Sequence, residues 1–353
     1  MRYSEQELIS LLLDVNGIHR LPRTEFARLI RQRPYEEIFG KKTIFIDLKY
    51  WVSFRMVLNR ESGAKTMSPQ QESIYRTIYE KLLKLIENKT AICVVSDSIL
   101  TEVEKMPLDR RLQTARIMDS LKVTVVLNGL NASTFEYINI DRITAGKEPV
   151  EQYHLSSVFE ANRFLTAVIL KKMVNDLDPI YNIMYDSMSG MTIEEYLKET
   201  DGDFYDSSEK FAEMMNDTKL KDTVKYTYKE LLIQGLASQT QSLNKIIKYT
   251  LLSEVDYANQ LPLYRKSAPF LYLHSAIHAA INFEKSRKVQ KNDFYDLSHS
   301  CIGVGYADYF FTEKKFHHLL KTKPIDCTAY YKCEIYSDHA KILNVLTVLN
   351  ERK

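Results

Sequence analysis

The sequence predicts an α/β fold: a parallel sheet covered on both faces by helices and interrupted by one long helical stretch. Two observations carry this expectation. Short apolar, β-branched runs alternate with helix-length segments over 41–130 and again over 291–353, the pattern of βα units feeding a parallel sheet. From about Asn131 to Asn292 the pattern is instead helical, with little that reads as strand.

Taken in order, Ser4-x-x-Glu7 forms a capping box ahead of Leu8, Leu11 and Leu12 at helical spacing. A second helix is expected after Thr24, with Phe26, Leu29 and Ile30 on its apolar side. Thr43-Ile44-Phe45-Ile46 is the first strand and ends at Asp47. Ser68-Pro69-Gln70-Gln71 combines a cap, a first-turn proline and a box glutamine, so a long helix should run to about Glu87. Ala91–Val95 reads as a buried strand, followed by a helix that starts within Ser96–Ser98 and passes Glu102. A helix over Arg110–Leu121 and a strand over Val123–Leu127 complete the first half.

The second half should contain helix Asp293–Gly303, strand Asp308–Phe311, helix Glu313–Leu320, strand Cys333–Tyr336 and helix Asp338–Leu349. This divides the chain into an N-terminal helical segment (1–40), a core in two halves (41–130 and 291–353) and a helical insertion (131–290).

Composition removes several function classes. Ten glycines in 353 residues is under half the usual ~7%, which disfavours phosphate-cradling glycine loops. Gly303-Val304-Gly305 begins like a dinucleotide fingerprint, but Asp308 stands at the third glycine position, and no G-x-x-x-x-G-K-[ST] occurs. The four cysteines show no C-x-x-C spacing, and Cys93 lies in an apolar run as a reduced buried thiol would. The Phe270–Ile281 run is broken by His274 and His278 and is too short to span a bilayer. With Glu5 and Glu7 ahead of the short Leu8–Leu13 run, no signal peptide is expected. A cytoplasmic protein with no membrane association is the expectation. Charge is balanced, 48 Lys+Arg against 46 Asp+Glu, but unevenly spread: residues 186–217 hold ten acids. Basic clusters lie at Arg20–Lys42, at Arg287, Lys288 and Lys291, and at Lys314, Lys315, Lys321 and Lys323. Each suits either a phosphate backbone or a solvated helix face.

In an open α/β sheet, ligands bind beyond the carboxyl ends of the strands. Asp47 directly follows the first strand, and Glu102 and Glu104 lie early in the helix after the second. Asp293 and Asp296 open a helix leading into the fourth strand, Asp308 begins that strand, and Glu313 follows its end at Thr312. Converging carboxylates repel one another unless a cation is present. Hard oxygen ligands suit Mg²⁺ or Mn²⁺, which can activate water and neutralise charge at a phosphate.

These same residues carry a family resemblance. Ile-Phe-Ile-Asp47, then Ser-Asp-Ser-Ile-Leu-Thr-Glu102-Val, then Asn292-Asp-Phe-Tyr-Asp296-Leu-Ser-His with Tyr306-Ala-Asp308-Tyr-Phe-Phe-Thr312, resemble the PIN-domain nucleases. The match spans about 41–130 and 291–353. It implies a PIN-like three-layer fold and a metal-dependent endonuclease that acts usually on RNA, with DNA possible, and leaves a 5′-phosphate. In bacteria such proteins often serve as toxins or defence effectors, which implies a regulatory or antitoxin-like protein partner; the oligomeric state is open. Carried over, Asp47, Glu102, Asp296 and Asp308 would hold one or two Mg²⁺ or Mn²⁺ ions, with Glu313 and Asp293 as secondary candidates. Arg287, Lys288, Lys314 and Lys315 would bind the substrate backbone. Two features depart from the family: Glu313 stands where Asp is common, and the helical insertion is long. The departure at Glu313 keeps a rival in view, a degenerate PIN-like module that binds nucleic acid or protein without cleaving.

Each residue also has a plainer reading. Asp47 can cap a helix starting near Leu48, and Asp293 is read first as an N-cap. Asp308 can be a surface acid. With Ile99, Val103 and Met106 facing the core, Glu102 and Glu104 both flank it, and only the resemblance favours Glu102. His299 can orient a carboxylate, assist a leaving group or simply pack. His274 and His278 have zinc-type i,i+4 spacing, but Ser275 stands where a zinc protease needs Glu, so a packed pair is preferred. Asp201-Gly-Asp203-Phe-Tyr-Asp206 departs from a calcium loop and reads as surface. The 23 tyrosines either stack on bases or fill helix interfaces.

Overall fold

The computed structural model describes residues 40–59, 67–127, 129–144, 146–149, 159–160, 192–199, 208–221, 254–283, 288–321, 323 and 325–351. The chain order is β1 (Lys42–Ile46), α1 (Leu48–Asn59), α2 (Pro69–Glu87), β2 (Ala91–Ser96), α3 (Asp97–Glu104), α4 (Leu108–Ser120), β3 (Val125–Leu127) and α5 (Gly129–Thr144). There follow β4 (Phe159–Glu160), α6 (Ile193–Glu199), α7 (Ser208–Lys221), α8 (Glu254–Ser267), α9 (Pro269–Phe283) and α10 (Asn292–Tyr306). The chain continues through β5 (Tyr309–Phe311), α11 (Lys314–Lys321), a 3₁₀ turn (Cys327–Ala329), β6 (Glu334–Tyr336) and α12 (His339–Glu351).

The strands form one sheet in the order β4-β3-β2-β1-β5-β6. All neighbours are parallel except β4, a two-residue antiparallel edge beside β3. β1 is central, and β2 is buried at all six positions, as expected for strands covered on both faces. Side chains alternate across β1. Phe45 and its neighbour Phe310 meet at 5.3 Å with tilted rings and face α10, while Phe311 on the other face meets Tyr50 of α1 at 6.4 Å. Helices therefore lie on both faces, and the sheet forms the middle layer.

Gly303 explains how closely α10 approaches. A Cβ there would stand 2.7 Å from Phe45 Cδ1, so only glycine lets this helix settle on the sheet. The Gly303-Val304-Gly305 run thus serves packing. The α2 cap is also realised: Ser68 Oγ accepts from Gln71 N at 3.2 Å, and Gln71 Oε1 accepts from Ser68 N at 2.9 Å.

Between 131 and 290, Ile193 and Leu197 of α6 join the main core against α4, where Asp119 accepts from Ile193 N and Glu194 N at 2.7 and 2.9 Å. A second apolar cluster joins Ile140 and Ile143 of α5, Tyr264 of α8, and Leu271, Tyr272, Ala276 and Ala279 of α9. α9 has two sides, because its Leu273, Ile277 and Ala280 belong to the main core. Glu136 of α5 lies fully buried at the start of α9. It accepts from Phe270 N at 2.8 Å, from Leu271 N at 2.7 Å and from the Tyr306 hydroxyl. Burial pushes its carboxyl up to about 8 against these three donors.

The four cysteines are buried and free, and burial pushes the Cys93 thiol up to about 12. His274 and His278 pack ring against ring at 4.7 Å, and burial lowers them to about 3 and about 4. Among the described residues no helix is long and apolar enough to cross a membrane. The segments around Ser4, Thr24 and Asp201–Asp206 lie outside the described residues.

Candidate active site at the carboxyl edge of the sheet

Parallel strands end together, and the residues just past their ends converge. Ile46 pairs with Phe311 in register, so Asp47 lies beside Thr312. Asp47 N donates to Phe311 O at 3.0 Å, and the Thr312 hydroxyl donates to Asp47 Oδ2 at 3.0 Å. The other carboxylate oxygen accepts from Lys49 N at 3.2 Å, so Asp47 also caps α1. The capping reading of this residue holds, and the same carboxylate stands at the carboxyl edge. Burial raises the Asp47 carboxyl above its ordinary range. His299, the Lys49 amide and Thr312 pull it down, and Glu313 pushes it up.

α10 precedes β5 and runs opposite to the strands, so its first turns stand over the same edge. Asp296 enters the site from there. Among the described residues its carboxylate accepts no hydrogen bond, and its neighbours are Asp47, Glu102, Glu313 and His299. Burial first, then the charges of Asp47, Glu102 and Glu313, push it up to about 8, with His299 acting against them.

The choice between Glu102 and Glu104 is made by packing. Glu102 Oε2 lies 2.6 Å from His299 Nε2. Glu104 is buried on another side of α3 with Tyr196 and Arg111, and desolvation raises it despite both. His299 itself is buried, with Nδ1 3.0 Å from Ser98 Oγ and 3.3 Å from Ser96 Oγ. Burial works to lower its basicity, but the bond to Glu102 and the Asp47 and Asp296 carboxylates outweigh it, so the imidazole is raised.

Two expected ligands are not brought in. Asp308 precedes β5 and so lies at the amino edge. Asp47 follows β1 at the other edge, four residues beyond Thr43, or about 13 Å along the strand. Asp308 is held there by Lys42 Nζ at 2.7 Å, Thr43 N at 2.9 Å and Thr43 Oγ1 at 3.0 Å. Asp293 is buried and turned to the Lys315 ammonium at 2.6 Å, and it accepts from Gln290 N at 2.9 Å. It is not the N-cap expected, since Lys291 holds that position without a side-chain cap bond and Asp293 lies within the first turn; Lys315, expected on a substrate backbone, is its ion-pair partner. Glu313 does join the edge, 3.7 Å from Lys49 Nζ. Lys314 and Lys288 are exposed, and Arg287 lies outside the described residues.

Sequence reasoning gave no role to Thr312 or Asp97, although both follow strand ends as Asp47 does. Asp97 accepts from Ser98 N at 2.8 Å and Gly129 N at 3.1 Å, and so ties β2 to α5. Burial raises its carboxyl against those two amides and His299.

Among the described residues no three His, Cys, Asp or Glu side chains stand close enough to hold an ion between them. The donor chemistry nevertheless fits a hard divalent cation. Among the described residues Asp296 has no hydrogen-bond donor, and it stands among like charges, which a cation would relieve. Mg²⁺ commonly keeps several waters and takes only one or two carboxylates directly. The chain matches no family model, no curated protein and no solved structure.

Proposed function

We propose that this chain is a divalent-metal-dependent endonuclease of the PIN-like type, acting on RNA. One observation carries the reading: Asp47, Glu102, Asp296 and Glu313 lie at the carboxyl edge, and Asp296 is pushed up to about 8 with no hydrogen-bond donor among the described residues. Such a carboxylate is costly without a cation. When bound, Mg²⁺ or Mn²⁺ would supply a nucleophilic water at neutral pH and offset charge at a phosphodiester. One or two of Asp47, Glu102, Asp296 and Glu313 would hold it directly and the others through its waters. Thr312 keeps Asp47 in one orientation through their 3.0 Å bond.

Lys49 and Lys314 are exposed beside the edge and suit the flanking phosphates. Lys314 and Lys315 open α11, whose first turn has no acid. Cations there oppose the helix dipole, so their placement does not serve the helix, and Lys314 remains available for an anion. The PIN-like reading further implies a toxin or defence effector in the cytoplasm, restrained by a protein partner.

The test is cleavage of a mixed tRNA and mRNA pool with Mn²⁺, Mg²⁺ or EDTA, using the full chain beside Asp47→Asn and Asp296→Asn. Metal-dependent cutting lost in both variants is the expected result; cutting unchanged in Asp47→Asn would sink the assignment. A second reading is a PIN-like module that binds without cleaving. It is favoured by the absence of any three-ligand group among the described residues. Wild-type protein with no measurable divalent affinity would select it.

A further inference from the structure

We propose that His299 is a positioning residue for Glu102: an imidazole anchored by the Ser96 and Ser98 hydroxyls that holds the Glu102 carboxylate in place to bind the ion. The inference rests on the metal-dependent reading above and adds to it a residue outside the ligand set.

Both ring nitrogens are engaged. Nε2 lies 2.6 Å from Glu102 Oε2, while Nδ1 lies 3.0 Å from Ser98 Oγ and 3.3 Å from Ser96 Oγ. A carboxylate only accepts, so Nε2 carries the proton and donates. The hydroxyl side is itself tied to the backbone, because Ser96 Oγ accepts from Ile99 N at 3.2 Å and lies 2.9 Å from Ser98 Oγ. The imidazole is 1% exposed, with the Phe45 ring 6.5 Å away, so it has little freedom to turn.

Glu102 differs. Its side chain is 17% exposed and has three rotatable bonds, and among the described residues its carboxylate makes no hydrogen bond except that to His299. Without the imidazole it would be free to swing toward solvent. The arrangement parallels Thr312 on Asp47: two acids are each held by a neighbour, and Asp296 is held by none of the described residues. Outer partners of this kind typically set metal affinity by ~10–100-fold.

The experiment is calorimetric titration of the full chain with Mn²⁺, wild type beside His299→Leu, His299→Gln and Ser98→Ala, each checked by thermal melting. His299→Leu should raise the Mn²⁺ Kd by about tenfold or more. His299→Gln places an amide N–H near the Nε2 position and should recover most of the affinity. Ser98→Ala should give a smaller rise in the same direction. A folded His299→Leu with unchanged Kd overturns the proposal, as does a loss that glutamine fails to rescue, since packing alone would then explain the residue. If the leucine variant does not fold, an unchanged Kd in Ser98→Ala overturns it instead. Wild type that binds no Mn²⁺ is a separate outcome: it removes the metal-dependent reading, and the inference falls with it.

Discussion

The two edges of this sheet hold the same kind of residue in opposite situations. At the amino edge Asp308 receives three donors, Lys42 Nζ, Thr43 N and Thr43 Oγ1. At the carboxyl edge Asp296 receives none from the described residues and faces three further acids. An acid matched by donors ties elements together. One surrounded by its own charge raises the energy of the fold unless something else neutralises it. The difference separates structural from functional candidates where residue type and local motif do not.

The sharpest way to break the comparison is catalytic. Asp47→Asn and Asp296→Asn should lower metal-dependent cleavage by at least about a hundredfold, beyond the usual ~10–100-fold cost of an outer partner. Asp308→Asn should leave it within about twofold of wild type, and an equal loss there would show that edge position does not discriminate. Stability should move the other way. Asp308→Ala should cost about 1 kcal/mol in urea unfolding, a part-exposed network being discounted for screening, whereas metal-free Asp296→Asn should be no less stable than wild type.

A pH series sharpens the same point. The Asp296 carboxyl is raised from 3.8 to about 8. Its contribution to stability is therefore complete below about pH 4 and is lost as pH rises through about 8. Glu136, also raised to about 8, acts with the same sign. The metal-free melting temperature should fall between pH 5 and 8. Asp296→Asn should flatten part of that slope, and saturating Mn²⁺ should flatten it in wild type; an unchanged slope in both would contradict the electrostatic account. The smallest effect is expected at Glu104, which faces Tyr196 and Arg111 rather than the edge. Glu104→Gln should cut at the wild-type rate, while Glu102→Gln should not.

Much of the fold was legible in the chain. Four of the five parallel strands appeared as apolar runs because a strand buried on both faces has no polar side to interrupt it, whereas the edge strand β6 carries the exposed Glu334. Strand ends were off by a residue or two: Tyr309 rather than Asp308 opens β5, and Val125 rather than Val123 opens β3. The two-residue β4 carries too little sequence to signal itself. Of the candidate site, Asp47, Glu102, Asp296 and Glu313 lie at one edge. Asp308 lies at the other, and Asp293 is turned to Lys315. For Asp308 the reason was available beforehand, since a residue that enters a parallel strand lies at the edge opposite one that leaves it. For Asp293 it was not, because its burial against Lys315 depends on how α11 packs on α10.

The sequence by itself determined where strands and caps form and which acids flank strand ends, because periodicity and capping are local properties of neighbouring residues. Only the tertiary structure decided which acids meet. Glu102 and Glu104 are equivalent by helical spacing, and they part company because α3 is covered by α10 on one side and by Arg111 and Tyr196 on the other. His299 gains its place between Ser98 and Glu102 from contacts some two hundred residues away along the chain. Long-range packing sets what surrounds a charge, and those surroundings separate an acid that braces the fold from one left among like charges.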